Sequence, residues 1–122
     1  VSLPGTLNSI DKKAWGHCPE LEQIEVSPDN QYYSSEDGVL FNKAKDTLLL
    51  FPLHNKMVAY EIPKSVTCIS SYAFFSENLK SVTIPKTVKS IGEQVFCNSA
   101  VASVVISQGV KMIGFWIIVF HI

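Results

Sequence analysis

The feature that most constrains this chain is an internal repeat. The segment Ile62-Pro63-Lys64-Ser65-Val66-Thr67-Cys68-Ile69 returns as Ile84-Pro85-Lys86-Thr87-Val88-Lys89-Ser90-Ile91 and again as Ile106-Ser107-Gln108-Gly109-Val110-Lys111-Met112-Ile113, each time 22 residues later. The same offset carries Ala73-Phe74 onto Val95-Phe96 and Ile117-Ile118, Leu79 onto Val101, and Val82 onto Val104. Nearly every matched position is apolar. A copy this short cannot bury its own apolar side, so neighbours must stack and share one continuous core, which makes the chain a solenoid. An earlier copy runs from Leu3-Pro4 through Leu7, Ile10, Ala14-Trp15, Cys18, Leu21 and Ile24 to Val26, with a period of 23 because one extra residue separates its aromatic from Leu21.

Within the copies, apolar residues alternate in Leu21 to Val26, Ala59 to Ile62, Leu79 to Ile84 and Val101 to Ile106. This is the period-two pattern of a half-buried strand, and it predicts that the four segments share one parallel sheet. Pro63 and Pro85 follow the last core residue of their strands, where a missing N–H and a fixed φ close the ladder at low cost. A second extended stretch at Val66 to Ile69 and its copies leads to a single turn around Ala73-Phe74 or Val95-Phe96, short enough to be a 3₁₀ or one-turn helix. The recurring aromatics Trp15, Phe74 and Phe96 read as a ladder inside the core. Between the first copy and the second, the apolar runs Val39 to Phe41 and Leu48 to Phe51 flank the polar Asn42 to Asp46. This insertion, about residues 32–52, reads as a β-hairpin that extends the sheet or packs at one edge of the solenoid.

The pattern I-P-x-S-V-T-x-I-x-x-x-A-F-x-x-x-x-L-x-S-V-x-I-P over Ile62 to Pro85 resembles the leucine-rich repeats of BspA-like proteins. The string Ser27-Pro28-Asp29-Asn30 followed by Tyr33-Ser34-Ser35 and Asp37-Gly38-Val39-Leu40-Phe41-Asn42-Lys43 is similar to the hairpin variant that interrupts such arrays. Together the two motifs cover about residues 3 to 114. The resemblance implies a mainly β leucine-rich-repeat solenoid with short helical turns on its convex side and an inserted β-hairpin. It divides the single unit 1–122 into repeats at about 3–26, 62–83 and 84–105 and an incomplete one at 106–122. It also implies a secreted or cell-surface protein of a bacterium or parasitic protist, and a role in adhesion to extracellular matrix or another cell. The opening Val1-Ser2-Leu3-Pro4 falls in mid-pattern, as expected of a piece of a longer protein.

Composition excludes several functions. With 10 basic and 11 acidic residues the formal net charge is -1, so the basic footprint needed for nucleic acid is missing. The apolar share of 47% against 17% charge is enough to build a core. No run approaches the roughly 18 residues of a membrane span, so membrane insertion is not expected. Cys18, Cys68 and Cys97 form an odd, unevenly spaced set that fits neither a disulfide framework nor a zinc site and reads as small buried hydrophobes. His17, His54 and His121 have no catalytic context, and no nucleophile, phosphate-loop or metalloprotease motif occurs, so neither enzyme activity nor a cofactor is expected. Asp29, Glu36 and Asp37 could supply oxygen ligands, but beside Asn30 and Gly38 they are ordinary turn chemistry and no metal site is expected.

What remains is a surface. If Ile24, Tyr60, Val82 and Val104 point inward, their neighbours form two outward rows, Gln23, Ala59, Ser81 and Ser103 in one and Glu25, Glu61, Thr83 and Val105 in the other. These eight residues are the expected protein-binding face. Two functions fit: a module for protein–protein interaction or adhesion, and a structural spacer in a longer array with no ligand of its own. The uninterrupted apolar run Phe115 to Ile122 adds an expectation of self-association.

Overall fold

Alternation and proline punctuation yield ten short strands in the computed structural model, which describes residues 1–10, 20–74, 76–96 and 99–106. They are β1 (Ser2–Leu3), β2 (Glu25–Val26), β3 (Tyr33–Glu36), β4 (Val39–Asn42), β5 (Thr47–Leu50), β6 (Ala59–Glu61), β7 (Cys68–Ile69), β8 (Ser81–Ile84), β9 (Ser90–Ile91) and β10 (Ser103–Ile106). The 22-residue offset becomes register. β6, β8 and β10 pair in parallel, with Ala59 beside Ser81 and Ser81 beside Ser103. The second extended stretch forms its own parallel pairing, Cys68 with Ser90 and Ile69 with Ile91, on the opposite side of each coil. Between these two sheets Val82, Ile84, Val66, Val88, Leu79 and Val101 are buried in one cluster, the shared core that no single coil could enclose.

The inserted segment is a three-stranded meander rather than a single hairpin. β3 pairs antiparallel with β4, and β4 with β5. The first turn is Asp37-Gly38, both at positive φ (55° and 80°), the backbone that a two-residue hairpin loop requires and Asp-Gly readily adopts. The second is held by Asn42, whose Oδ1 accepts the N–H groups of Asp46 and Thr47 at 3.0 Å each. β5 then pairs in parallel with β7, Thr47 beside Cys68 and Leu48 beside Ile69. The meander thus extends the second sheet, giving the order β3-β4-β5-β7-β9. From Thr47 onward the insertion is itself a coil of the solenoid.

β4 is apolar on consecutive residues because both of its faces are covered. Val39 and Phe41 enter the main core, while Leu40 joins Ile24 and Leu50 in a smaller one packed by Leu3, Leu21 and Val26. A register shift between Leu40 and Phe41 lets Leu40 face Leu50 while Phe41 faces Leu48. The strand is therefore a wall between two cores. β2 stays on the far side of that wall, paired with β1 instead of β6. Of the four segments expected to share one sheet, Leu21 to Val26, Ala59 to Ile62, Leu79 to Ile84 and Val101 to Ile106, the last three form a triplet and the first stands apart, paired with β1.

The expected helical turns do not form among the described residues. Phe74 sits in a parallel bridge with Phe51, the Phe51 N–H donates to the Ala73 carbonyl at 2.8 Å, and the Phe74 N–H donates to Val95 at 3.0 Å. Bonds that a helix would close within one coil are spent between coils. The aromatic ladder is present, with one unexpected rung. Phe51, Phe74 and Phe96 follow one another at centroid separations of 5.5 and 5.4 Å, and Tyr60 tilts against both Phe51 and Phe74. Trp15, Cys18, Cys97, His17 and His121 lie outside the described residues, as does all but the start of the repeat expected at 106–122. Cys68 is half-buried rather than buried, because Ile69 takes the inward position of β7.

A polar ladder closes the turn ahead of the triplet sheet. Asn55 Oδ1 accepts the Met57 N–H, Ser76 Oγ accepts the N–H groups of Asn78 and Leu79, and Ser99 Oγ accepts that of Val101. Asn30, fully buried, does the same for Tyr32 and Tyr33 while its Nδ2 donates to the carbonyls of Pro4 and Leu7. Each buried side chain meets an obligation of the backbone.

Two substitutions test this account of the stack. Phe74→Ala removes the rung that touches Phe51, Tyr60 and Phe96, and chemical denaturation should show a loss of about 3–5 kcal/mol. Gly92→Ala would drive a methyl into the Ser71 backbone N, which only a shift of one coil against the next can relieve. Its cost should be about 1–3 kcal/mol in the same measurement. A neutral Gly92→Ala would refute close backbone approach at that corner.

Candidate functional site

The triplet sheet presents its outward residues in two straight rows because parallel pairing in register places equal positions side by side, about 4.8 Å apart. Ala59, Ser81 and Ser103 make one row, and Glu61, Thr83 and Val105 the other. Ala59, Glu61, Ser103 and Val105 are exposed, Val105 at 54%, while Ser81 and Thr83 in the central strand are half-buried. Below them Tyr60, Val82 and Ile84 are buried, as the alternation requires. The face carries one carboxylate, three hydroxyls, a methyl and an isopropyl group. It offers hydrogen bonds and flat contact, and no nucleophile–base pair.

Gln23 and Glu25 do not join these rows. Both belong to the segment beyond the β4 wall. The Val1 ammonium donates to the Gln23 carbonyl, the Glu25 N–H donates to the Val1 carbonyl, and the Ile24 N–H donates to the Gly38 carbonyl at 2.9 Å. Gly38 lies so close to Gln23 that a Cβ there would come within 3.0 Å of its Cγ. The β3–β4 turn is thus seated on the first-coil segment, and the expected eight-residue face is a six-residue face with a separate acidic region beside it.

That region is an open groove of about 650 Å³, walled by Glu22 to Glu25, by Ser35 to Gly38 and by Asn55 to Met57. One end is closed where the His54 N–H donates to the Leu21 carbonyl and Asn55 Nδ2 donates to that of Glu22. Tyr60 belongs to the main core and not to the lining of this groove. Its ring is fixed against Phe51 and Phe74, and burial, then the carboxylates of Glu36 and Asp37, hold its hydroxyl proton well beyond the usual phenol range.

The remaining sequence candidates are dispersed. His54 Nδ1 is 3.2 Å from Glu77 Oε2, an exposed contact between successive turns and of little energetic weight. Asp29 belongs to a turn in which its own N–H reaches Ser27 Oγ, away from Glu36 and Asp37 at the hairpin tip. Among the described residues no group of three or more His, Cys, Asp or Glu side chains is arranged to hold a metal ion. Sequence reasoning missed Asn55 as part of this groove. Its signal was available in Asn55-x-Met57 preceding a strand, the counterpart of Ser76 and Ser99 in the later coils.

Comparison with known proteins agrees with this architecture. The solved structure of the pneumococcal vaccine antigen PcpA superposes with a TM-score of 0.81 at 22% identity, over 89% of this chain and 27% of its own. A leucine rich cell surface protein of Faecalibacterium prausnitzii gives 0.77 at 29% identity, over 90% and 30%. A leucine-rich repeat protein of Eubacterium ventriosum gives 0.67 at 25%, over 90% and 36%. The chain thus spans about a third or less of the length of these structures. No curated protein matches it. A model of the BspA type leucine rich repeat region matches residues 50–118 with 6 copies, more than half of the sequence, and with the stacked parallel coils found in that stretch it establishes that the chain belongs to the BspA type leucine rich repeat family.

Proposed function

We propose that this chain is a non-catalytic recognition module of a secreted or cell-surface protein, and that it contacts a protein partner through the outward rows of β6, β8 and β10. The observation that carries the reading is the uncovered face itself. Six side chains from three coils lie in register, and no other described strand packs over them. A rigid sheet loses little conformational freedom when it binds, which suits it to recognition. The description of the F. prausnitzii structure as a cell surface protein supports the location. Extracellular matrix or another cell is the partner class most in keeping with such a place. The acidic and basic residues balance too closely for nucleic acid, and among the described residues no helix is long and apolar enough to cross a membrane.

A second reading, a spacer that holds other parts of a longer protein apart, is favoured by the blandness of the face. Among the described residues no exposed aromatic side chain belongs to its two rows. Recognition hot spots usually centre on aromatic or arginine anchors.

Retention on immobilised extracellular-matrix proteins separates the two. The recognition reading expects saturable retention that falls about tenfold in a Glu61→Ala, Thr83→Ala, Val105→Ala variant with an unchanged melting temperature. Retention that ignores the three changes removes this face from the proposal, and no retention of the folded chain on any matrix protein favours the spacer. Self-association through Phe115 to Ile122, outside the described residues, is a separate proposal. Light scattering should show a smaller particle when the chain is truncated after Gly114, and an unchanged size would dismiss it.

A further inference from the structure

We propose that the corner at which β4, β6 and β8 end is a second binding site, where Lys43, Lys64 and Lys86 hold successive anionic groups of a linear sulfated polysaccharide and Tyr32 stacks against a sugar ring. The site lies apart from the six-residue face, and neither depends on the other.

The corner is built the same way in three successive coils. The Lys45 N–H donates to the Asn42 carbonyl at 3.0 Å, that of Val66 to Pro63 at 3.1 Å and that of Val88 to Pro85 at 3.2 Å, each closing a four-residue turn. Lys43, Lys64 and Lys86 occupy the second position of these turns. The turns are tied to one another, because Ser65 Oγ donates to the Lys45 carbonyl and Thr87 Oγ1 to that of Val66. One turn therefore follows the next at the strand spacing of about 4.8 Å, and the three lysines form a row along the stacking axis. All three are exposed, as is Lys89 at the exit of the last turn.

Positive charge is concentrated here in a chain that is otherwise balanced. Residues 42–46, 63–67 and 85–89 hold five lysines and one acid, Asp46. That carboxylate is engaged within its own turn, where it accepts from Asn42 Nδ2 and Thr47 Oγ1. Among the described residues no carboxylate pairs with Lys43, Lys64, Lys86 or Lys89. The Lys43 ammonium donates to the Pro28 carbonyl at 3.0 Å and keeps its other N–H groups for a ligand.

Tyr32 is a separate observation, and it points to sugar. Its carbonyl accepts the Lys43 N–H at 2.9 Å and its own N–H is held by Asn30 Oδ1, so the backbone sets it across from the first lysine of the row. It belongs to neither core and is 54% exposed. An uncovered tyrosine presents a flat apolar ring with a polar end, which suits the C–H face and hydroxyls of a sugar. A single file of ammonium groups matches a polymer with one anionic group per repeat. A nucleic acid duplex would call for many phosphate contacts over a broad basic face, and an acidic peptide would leave the ring unused.

The test is calorimetric titration of the full chain with a heparin octasaccharide at low and high salt, with polyglutamate and oligothymidylate as comparison polyanions. The proposal expects saturable binding of the octasaccharide that weakens with salt and is tighter than that of either comparison polymer. Lys43→Gln, Lys64→Gln and Lys86→Gln together should weaken it about tenfold. Lys64→Gln with Lys86→Gln alone, which breaks no side-chain bond among the described residues, should still weaken it several-fold. Tyr32→Ala should weaken the octasaccharide several-fold and leave polyglutamate unchanged. Lys56→Gln with Lys80→Gln, which precede β6 and β8 where the row follows them, should change nothing, and neither should the triple variant of the sheet face. Absence of saturable binding overturns the site, as does an equal loss in the Lys56 and Lys80 variant. A comparison polymer bound as tightly, or no effect of Tyr32→Ala, reduces the interaction to general attraction and overturns the assignment to a polysaccharide.

Discussion

Hydrogen bonds between one coil and the next govern everything else in this molecule. Thr67 N–H donates to the Asp46 carbonyl and Lys89 N–H to that of Thr67, both at 2.8 Å, and on the other side Lys80 donates to Val58 and Ala102 to Lys80 at the same distance. The backbone is thus satisfied along the stacking direction on both sides of each coil, and the interior is left to side chains alone. That arrangement permits a core one coil thick, with Phe74 flanked by Phe51 and Phe96. It also creates ends, because a linear stack of coils leaves the ladder of its first and last coil unpaired on one side. At one end the chain answers with the meander. β4 turns Val39 and Phe41 to the main core and Leu40 to the smaller one, so the strand that ends one stack also begins the packing of the first copy.

How much of this was legible in the sequence depends on whether the signal was periodic. The 22-residue offset between Ile62-Pro63 and Ile84-Pro85 translates directly into the pairing of β6 with β8 and of β7 with β9, since a fixed offset between parallel strands is a register. Inward and outward assignments followed from alternation and hold at Tyr60, Val82 and Ile84. The coil from Thr47 to Ile62 escaped the period because its aromatic, Phe51, comes early and the missing residues are returned before Asn55. The turn at Ala73-Phe74 escaped for a different reason. A few residues cannot show whether their N–H groups will be used within the coil or between coils, and tertiary bonding decided for the latter.

The division of the expected face has the same origin. Alternation in Leu21 to Val26 identifies an extended segment and says nothing of its neighbour. The neighbour was decided by the Asp37-Gly38 turn. Its positive φ values allow a hairpin tight enough for Gly38 to lie against Gln23, and a larger residue there would collide with that side chain. Gln23 and Glu25 are therefore carried out of the rows that Ala59 and Glu61 begin. The carboxylates of Glu36 and Asp37 come to the same place from the hairpin tip, which explains an acidic groove in a chain whose net charge is only -1.

Regularity and its interruption play different parts in recognition by such a stack. Each further coil adds one more outward residue to each row, so the face grows by increments that resemble those before and contributes area more than selectivity. The solved relatives, each about three times the length of this chain or somewhat less, have room for many such increments. The meander occurs once in the described residues and brings together side chains from three separate stretches of sequence, at 22–25, 35–38 and 55–57. The meander therefore breaks the sameness of the coils, since the side chains it gathers have no counterpart in the rows that β6, β8 and β10 repeat.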